Sequence, residues 1–155
     1  MKSFLMCAAC ILFVTNSYAD LELYVVDGMD GFQRIYGYDF GNVPAYPDGD
    51  SDDPSKILDV YVRNRGDYTV TNIIPSISGN QNEIYTSSGC TELEPYDDIT
   101  NNQCFITITY NPIHYGKKNK RFTVEGTEDI DEMTSNEVTV TIPITGTSDN
   151  ANKTK

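Results

Sequence analysis

The chain of 155 residues has no tryptophan and a single histidine, His114. It carries 11 Lys/Arg against 23 Asp/Glu, and alanine is scarce after residue 19. No window places apolar residues at helical spacing over three turns. Each shortage excludes something. A Ser–His–acid or Cys–His mechanism would have to use His114, and no GxSxG elbow presents a nucleophile for it. One histidine and no spare thiol leave a zinc site without ligands. A net charge of −12 disfavours nucleic acid and anionic membranes as partners. Missing 3.6-residue periodicity leaves strands as the material of the fold. The expectation is a protein that is not an enzyme and holds no cofactor.

There is one long apolar run, and it lies at the start. Met1-Lys2 supply a positive beginning, Phe4 to Val14 are almost wholly apolar, and Ser17 and Ala19 occupy the small-residue positions of a signal-peptidase site. The run is too short to span a bilayer, so residues 1–19 read as a cleaved export signal and Asp20 as the mature start. Loss of Lys2 takes the net charge from −12 to −13. Cys7 and Cys10 form a CxxC pair, and Ala8-Ala9-Cys10 looks like a lipoprotein box. Both lie in the core of a segment that is removed, and the apolar run continues past Cys10, against the order of a lipid-anchor motif. No later stretch approaches membrane-spanning length, which implies an exported protein without a transmembrane segment, in the periplasm or cell envelope or released from it.

What remains suffices for one domain with a single core. Cys90 and Cys104 are its two cysteines, and an even pair in an exported protein reads as a disulfide. Such a bridge is worth on the order of 3 kcal/mol in the chain-entropy model.

Period two appears wherever a period exists. "LELYVV" opens the mature chain. "ILDVYVRN" sets Leu58, Val60 and Val62 on one face and Asp59, Tyr61 and Arg63 on the other. "YTVTNIIPSIS" is β-branched, with Pro75 marking an edge or a bend. "CFITITY" turns Cys104, Ile106, Ile108 and Tyr110 inward and Phe105, Thr107 and Thr109 outward, and "NEVTVTIPITG" aligns Val138, Val140, Ile142 and Ile144. Strands punctuated by Gly, Asn, Asp and Pro imply an all-β sandwich.

"YDFGNVPAYPDGD" with "KILDVYVRNRGDYTVTNI", then "SGCTEL", "QCFITITYNPIHYGKKNKRFTV" and "VTIPITGT", resembles the ASPM–SPD-2–Hydin (ASH) immunoglobulin-like domains, as in exported bacterial choice-of-anchor D modules. The resemblance covers about residues 39 to 147. It implies a single immunoglobulin-like sandwich over 39–147, with residues 20–38 as an added strand or arm and 148–155 as a polar tail. It also implies that Cys104 starts a core strand and bridges to Cys90. Pro112 would end that strand's pairing, and Gly116 would turn the chain through an exposed "KKNK". "YDDITNNQ" before Cys104 and the acidic "TEDIDEM" between the last two strands depart from the pattern.

The remaining candidates concern binding. Asp48, Asp50 and Asp52 carry oxygen ligands at a spacing a calcium loop could use, but the twelfth-position Glu of an EF-hand is missing; a solvated acidic loop is the simpler reading and no metal is expected. Lys117, Lys118, Lys120 and Arg121 crowd into five positions. Two readings stand: a docking point for an acidic partner or phosphate-bearing glycolipid, and a hairpin tip guarding an edge. Tyr36 and Tyr38 belong to a tyrosine cluster suited to an interface or to core packing.

The sequence as a whole reads as a noncatalytic interaction module, a scaffold or accessory subunit of an envelope or secretion assembly with protein partners. A periplasmic chaperone donating a strand, and a secreted effector or lectin, are the alternatives. N-terminal sequencing of the exported protein is expected to begin at Asp20 without lipid; an acylated Cys10 would overturn the signal assignment.

Overall fold

The computed structural model describes residues 20–27, 31–46, 55–96 and 101–149. The expected export signal, Asp48, Asp50 and Asp52, and most of the polar tail lie outside these residues. Among the described residues ten strands form two five-stranded sheets that pack face to face. They are β1 (Leu21–Asp27), β2 (Gly31–Arg34), β3 (Tyr38–Asn42), β4 (Lys56–Asn64), β5 (Thr69–Ile77), β6 (Ile84–Ser88), β7 (Glu92–Leu93), β8 (Gln103–Tyr110), β9 (Gly116–Asp131) and β10 (Thr134–Ser148). The first sheet runs β2-β1-β4-β8-β6 and the second β3-β10-β9-β5-β7. The all-β sandwich expected from period-two patterning is the observed architecture. Residues 20–38 contain β1, which lies inside the first sheet between β2 and β4.

The core follows from the alternation. Leu58, Val60 and Val62 of β4 and Ile106, Ile108 and Tyr110 of β8 are buried, as are Phe122 and Val124 of β9 and Val138, Ile142 and Ile144 of β10. Leu21 and Leu23 bring β1 into the same cluster. Each fully buried aliphatic side chain contributes roughly 1.5–3 kcal/mol. The ring of Tyr110 fits because the facing backbone is Gly146, where an added Cβ would stand 2.6 Å from Cε1 of that ring.

Three details bear on the sequence reading. Cys90 and Cys104 are bridged, with their Cα atoms 5.6 Å apart, which staples β8 to the segment carrying β7. Pro75 does lie on an edge: β7 pairs with Val70 and Thr71 of β5, and among the described strands the rest of β5 pairs on one side alone. At the bulge between Thr71 and Ile74, Asn72 takes a left-handed conformation, φ 52°, which Asn tolerates better than most residues.

Two expectations need correction. "KKNKR" is not a hairpin tip: Lys117 to Arg121 lie within β9 and pair along Pro143–Thr147 of β10. Gly116, at φ 108°, supplies the turn just before them. "TEDIDEM" separates the last two strands only by its end. Its first residues extend β9, and the turn to β10 falls at Glu132 and Met133. The physical reason is the same in both places. A long antiparallel ladder satisfies backbone groups whatever the side chains are, so charged residues were carried into it.

Asn64 ends β4 fully buried, and its side chain organises the passage between sheets. Its Nδ2 donates to the carbonyl oxygens of Tyr68 at 2.6 Å, Glu94 at 3.1 Å and Leu93 at 3.3 Å. Its Oδ1 accepts from the Gly66 amide at 2.9 Å. Asn64→Ala would orphan these buried groups at about 1–3 kcal/mol each for those that water cannot reach. A lowered melting temperature is expected, together with weakened hydrogen-exchange protection in β7. An unchanged melting temperature would contradict this role.

Candidate interaction surface

The outer face of the first sheet has a composition unlike the rest of the molecule. Register sets Tyr24 opposite Tyr61 and Tyr61 opposite Phe105, one aromatic from each of β1, β4 and β8. The adjacent row runs Glu22, Arg63, Gln103. From β2, Phe32 meets Tyr61 edge to face with centroids 4.9 Å apart, and Tyr61 and Phe105 are tilted at 6.4 Å. Phe105 is 58% exposed and Val26 53%.

Arginines frame these rings. Arg63 lies 4.1 Å from the Phe32 centroid and 4.9 Å from that of Tyr24, while its Nε donates to Gln103 Oε1 at 2.8 Å. Arg65 lies 3.7 Å from the Tyr96 centroid. Glu22 is buried and engaged by Arg34, by the Tyr24 hydroxyl and, at 3.7 Å, by Arg65. Burial, followed by the bond to Glu22, holds the Tyr24 hydroxyl above its ordinary pKa. Below the aromatic row, Arg63, Arg65, Tyr96, Asn102 and Gln103 wall a cleft of about 260 Å³. A second cleft of about 310 Å³ adjoins it through Gln103 and is lined by Glu92, Glu94 and Asn101.

The lysine cluster divides. Lys117 and Arg121 are exposed. Lys118 turns the other way to reach Glu83 Oε2 at 2.6 Å, and Lys120 Nζ donates to the Asn80 carbonyl at 3.1 Å. Glu83 also accepts from the amides of Ile113 at 3.0 Å and His114 at 2.6 Å. The exposed ring of His114 lies 3.2 Å from the same carboxylate. Tyr38 packs edge to face on Phe40 with centroids 5.0 Å apart, whereas Tyr36 is 72% exposed and stacks with Arg34. Among the described residues no group of three or more His, Cys, Asp or Glu stands together as a metal site.

Sequence reasoning placed Tyr61, Arg63 and Phe105 on outward faces but did not bring them together. What joins them is the pairing of β1, β4 and β8, a register that no single strand encodes. The alternation in "ILDVYVRN" and "CFITITY", read for its outward members, was the available signal.

The fold is an immunoglobulin-like β-sandwich, similar to that of ASH/PapD-like domains. The structure is similar to the ASH/PapD-like domain 7 of human CEP192, with a TM-score of 0.50 and 15% identity, covering 84% of this chain and 86% of that one. It is also similar to part of a family 123 glycoside hydrolase from Clostridium perfringens, with a TM-score of 0.50 and 12% identity, covering 85% of this chain but 27% of that protein. No protein-family profile and no curated relative matches the sequence.

The Glu83 network generates a pH prediction. Burial alone would raise this carboxyl, but Lys118 and the amides of His114 and Ile113 outweigh it and hold the pKa below the ordinary value. A depressed carboxylate stabilises the fold fully above its unfolded pKa, and that contribution is lost as pH falls through the folded one. Glu83→Gln is therefore expected to lower the melting temperature at neutral pH and to flatten its decline below about pH 4.3, the unperturbed glutamate value. Parallel melting curves of both proteins across that range would refute the role.

Proposed function

We propose that the chain is an exported, noncatalytic interaction module, serving as a scaffold or accessory subunit of a bacterial envelope or secretion assembly in the manner of the choice-of-anchor D modules. The observation that carries this reading is the end-to-end correspondence with a domain named ASH/PapD-like, over 84% of this chain and 86% of that one. The glycoside hydrolase match, by contrast, involves 27% of a larger protein, so that protein's activity does not transfer with it.

Other observations support the same reading. A disulfide persists in oxidising compartments, which fits export, and no described helix is long and apolar enough to cross a membrane. His114 lies in a connecting turn beside Glu83, to which its backbone amide donates while its exposed ring stands 3.2 Å away. Of the sequence candidates, Lys117, Arg121 and Tyr36 stand exposed for a partner, while Lys118, Lys120 and Tyr38 serve internal contacts. One observation favours the strand-pairing chaperone as a second reading: beyond Thr71 the outer edge of β5 has no neighbour among the described strands.

Photo-crosslinking side chains placed at Tyr36 and Lys117 in the producing cells would test the proposal. Protein adducts that fractionate with the envelope are the expected result. A chain recovered free in the medium, without adducts and with hydrolytic turnover of a substrate, would overturn it.

A further inference from the structure

Among the described residues, no acid pairs with the arginine that the cleft turns outward. Arg63 sits opposite Glu22 in register, yet Glu22 is taken by Arg34, Arg65 and Tyr24. The Arg63 side chain is held instead by two ring faces and by Gln103, which uses only its Nε–H. Among the described residues its terminal amino groups have no hydrogen-bond acceptor. A guanidinium with its plane fixed and its outer donors open is organised for bidentate recognition of a carboxylate, with little ordering cost left at binding.

The size of the cleft limits what enters. About 260 Å³ lies under the range that encloses a whole drug-sized ligand, so it receives one group of something that extends beyond. On the same face lie Phe105, Phe32 and Val26, 58%, 40% and 53% exposed, with Tyr61 between the two phenylalanines. Aromatics and arginine without lysine are the composition of an interface centre. Three of the chain's four arginines, Arg34, Arg63 and Arg65, frame this face in a chain of net charge −12. An acidic partner is thus repelled elsewhere and admitted here, which confers specificity. An acidic polysaccharide offers the carboxylate but no apolar side chain to cover Phe105 and Val26.

We propose that the outer face of the first sheet, from β2 across β1 and β4 to β8, docks an acidic segment of a partner protein. One carboxylate of that segment enters the cleft between Arg63 and Arg65, and a neighbouring apolar side chain lies on Phe105 and Tyr61. The proposal rests on the reading of the chain as an interaction module, and adds to it the face and the chemistry of the partner.

Binding of a soluble peptide in which Glu and Phe alternate, of the same peptide with Gln for Glu, and of oligogalacturonate can be measured by titration calorimetry on the mature protein. The Glu peptide is expected to bind, and the Gln peptide to bind at least about tenfold more weakly. Arg63→Lys keeps the charge but removes the fork, and Phe105→Ser removes an exposed ring. Each is expected to weaken the Glu peptide about tenfold with the melting temperature unchanged, whereas Met133→Ser, at the exposed β9–β10 turn, is expected to leave binding unchanged. Equal binding of the Glu and Gln peptides, indifference to Arg63→Lys and Phe105→Ser, or binding of oligogalacturonate alone would overturn the proposal. In cells, a photo-crosslinker at position 105 should give a protein adduct that Arg63→Lys abolishes. Adducts from Tyr36 or Lys117 but not from position 105 would remove this face and leave the interaction module standing. Adducts from none of the three would remove both.

Discussion

Everything at the arginine face depends on the direction in which Asn64 points. Its amide is fully buried and bonds to backbone from Gly66 to Glu94. That ties the end of β4, in the first sheet, to β7 at the edge of the second. Because strand side chains alternate, an inward Asn64 sends Arg63 to the outer face. Arg65 follows where β4 gives way to the turn, and its amide donates to the Asp20 carbonyl at 2.9 Å. A buried amide is a demanding device: satisfied, it specifies one arrangement, and partly satisfied it costs more than an apolar residue. One polar side chain in the core therefore sets both the crossing between sheets and the positions of two cations.

The disulfide works on the same region from the other side. The Cys90–Cys104 bridge closes a segment that holds β7, Tyr96 and Asn102, and Asn102 donates to the Tyr96 carbonyl at 3.0 Å. Tyr96 in turn offers its ring to Arg65. The wall of the cleft is thus anchored at Cys104 by a covalent bond and at Asn64 by hydrogen bonds, and its short β7 has little pairing of its own to hold it.

The strands were legible because burial on one face enforces period two. Leu58, Val60 and Val62 could be assigned inward from the sequence alone, as could Ile106, Ile108 and Tyr110. The disulfide was legible because reading residues 1–19 as an export signal leaves two of the four cysteines, which allow one pairing. The charged part of β9 was not: Lys117 to Arg121 read as a loop because their side chains are polar. Hydrophobicity reports the half of a strand that faces the core, and says little where ladder hydrogen bonds alone extend it. Nor could the ring row be read. Tyr24, Tyr61 and Phe105 are widely separated in the chain, and only strand order makes them neighbours.

Strand β1 couples stability to surface chemistry. Leu21 and Leu23 fill the core while Glu22 and Tyr24, between and beside them, build the outer face. Glu22 holds Arg34 and Arg65 at once, and in doing so leaves Arg63 without an acid among the described residues. A carboxylate within reach of the terminal amino groups of Arg63 would have neutralised them; a Lys in place of Arg63 would not have stacked on Phe32 and Tyr24. The arrangement keeps one cation desolvated on its faces and open at its edge, in a molecule whose remaining charge is strongly negative. Long-range repulsion and short-range attraction toward the same acidic partner then coexist. Such a surface selects by local fit, since salt screens the repulsion within about a Debye length while the stacked guanidinium is screened much less.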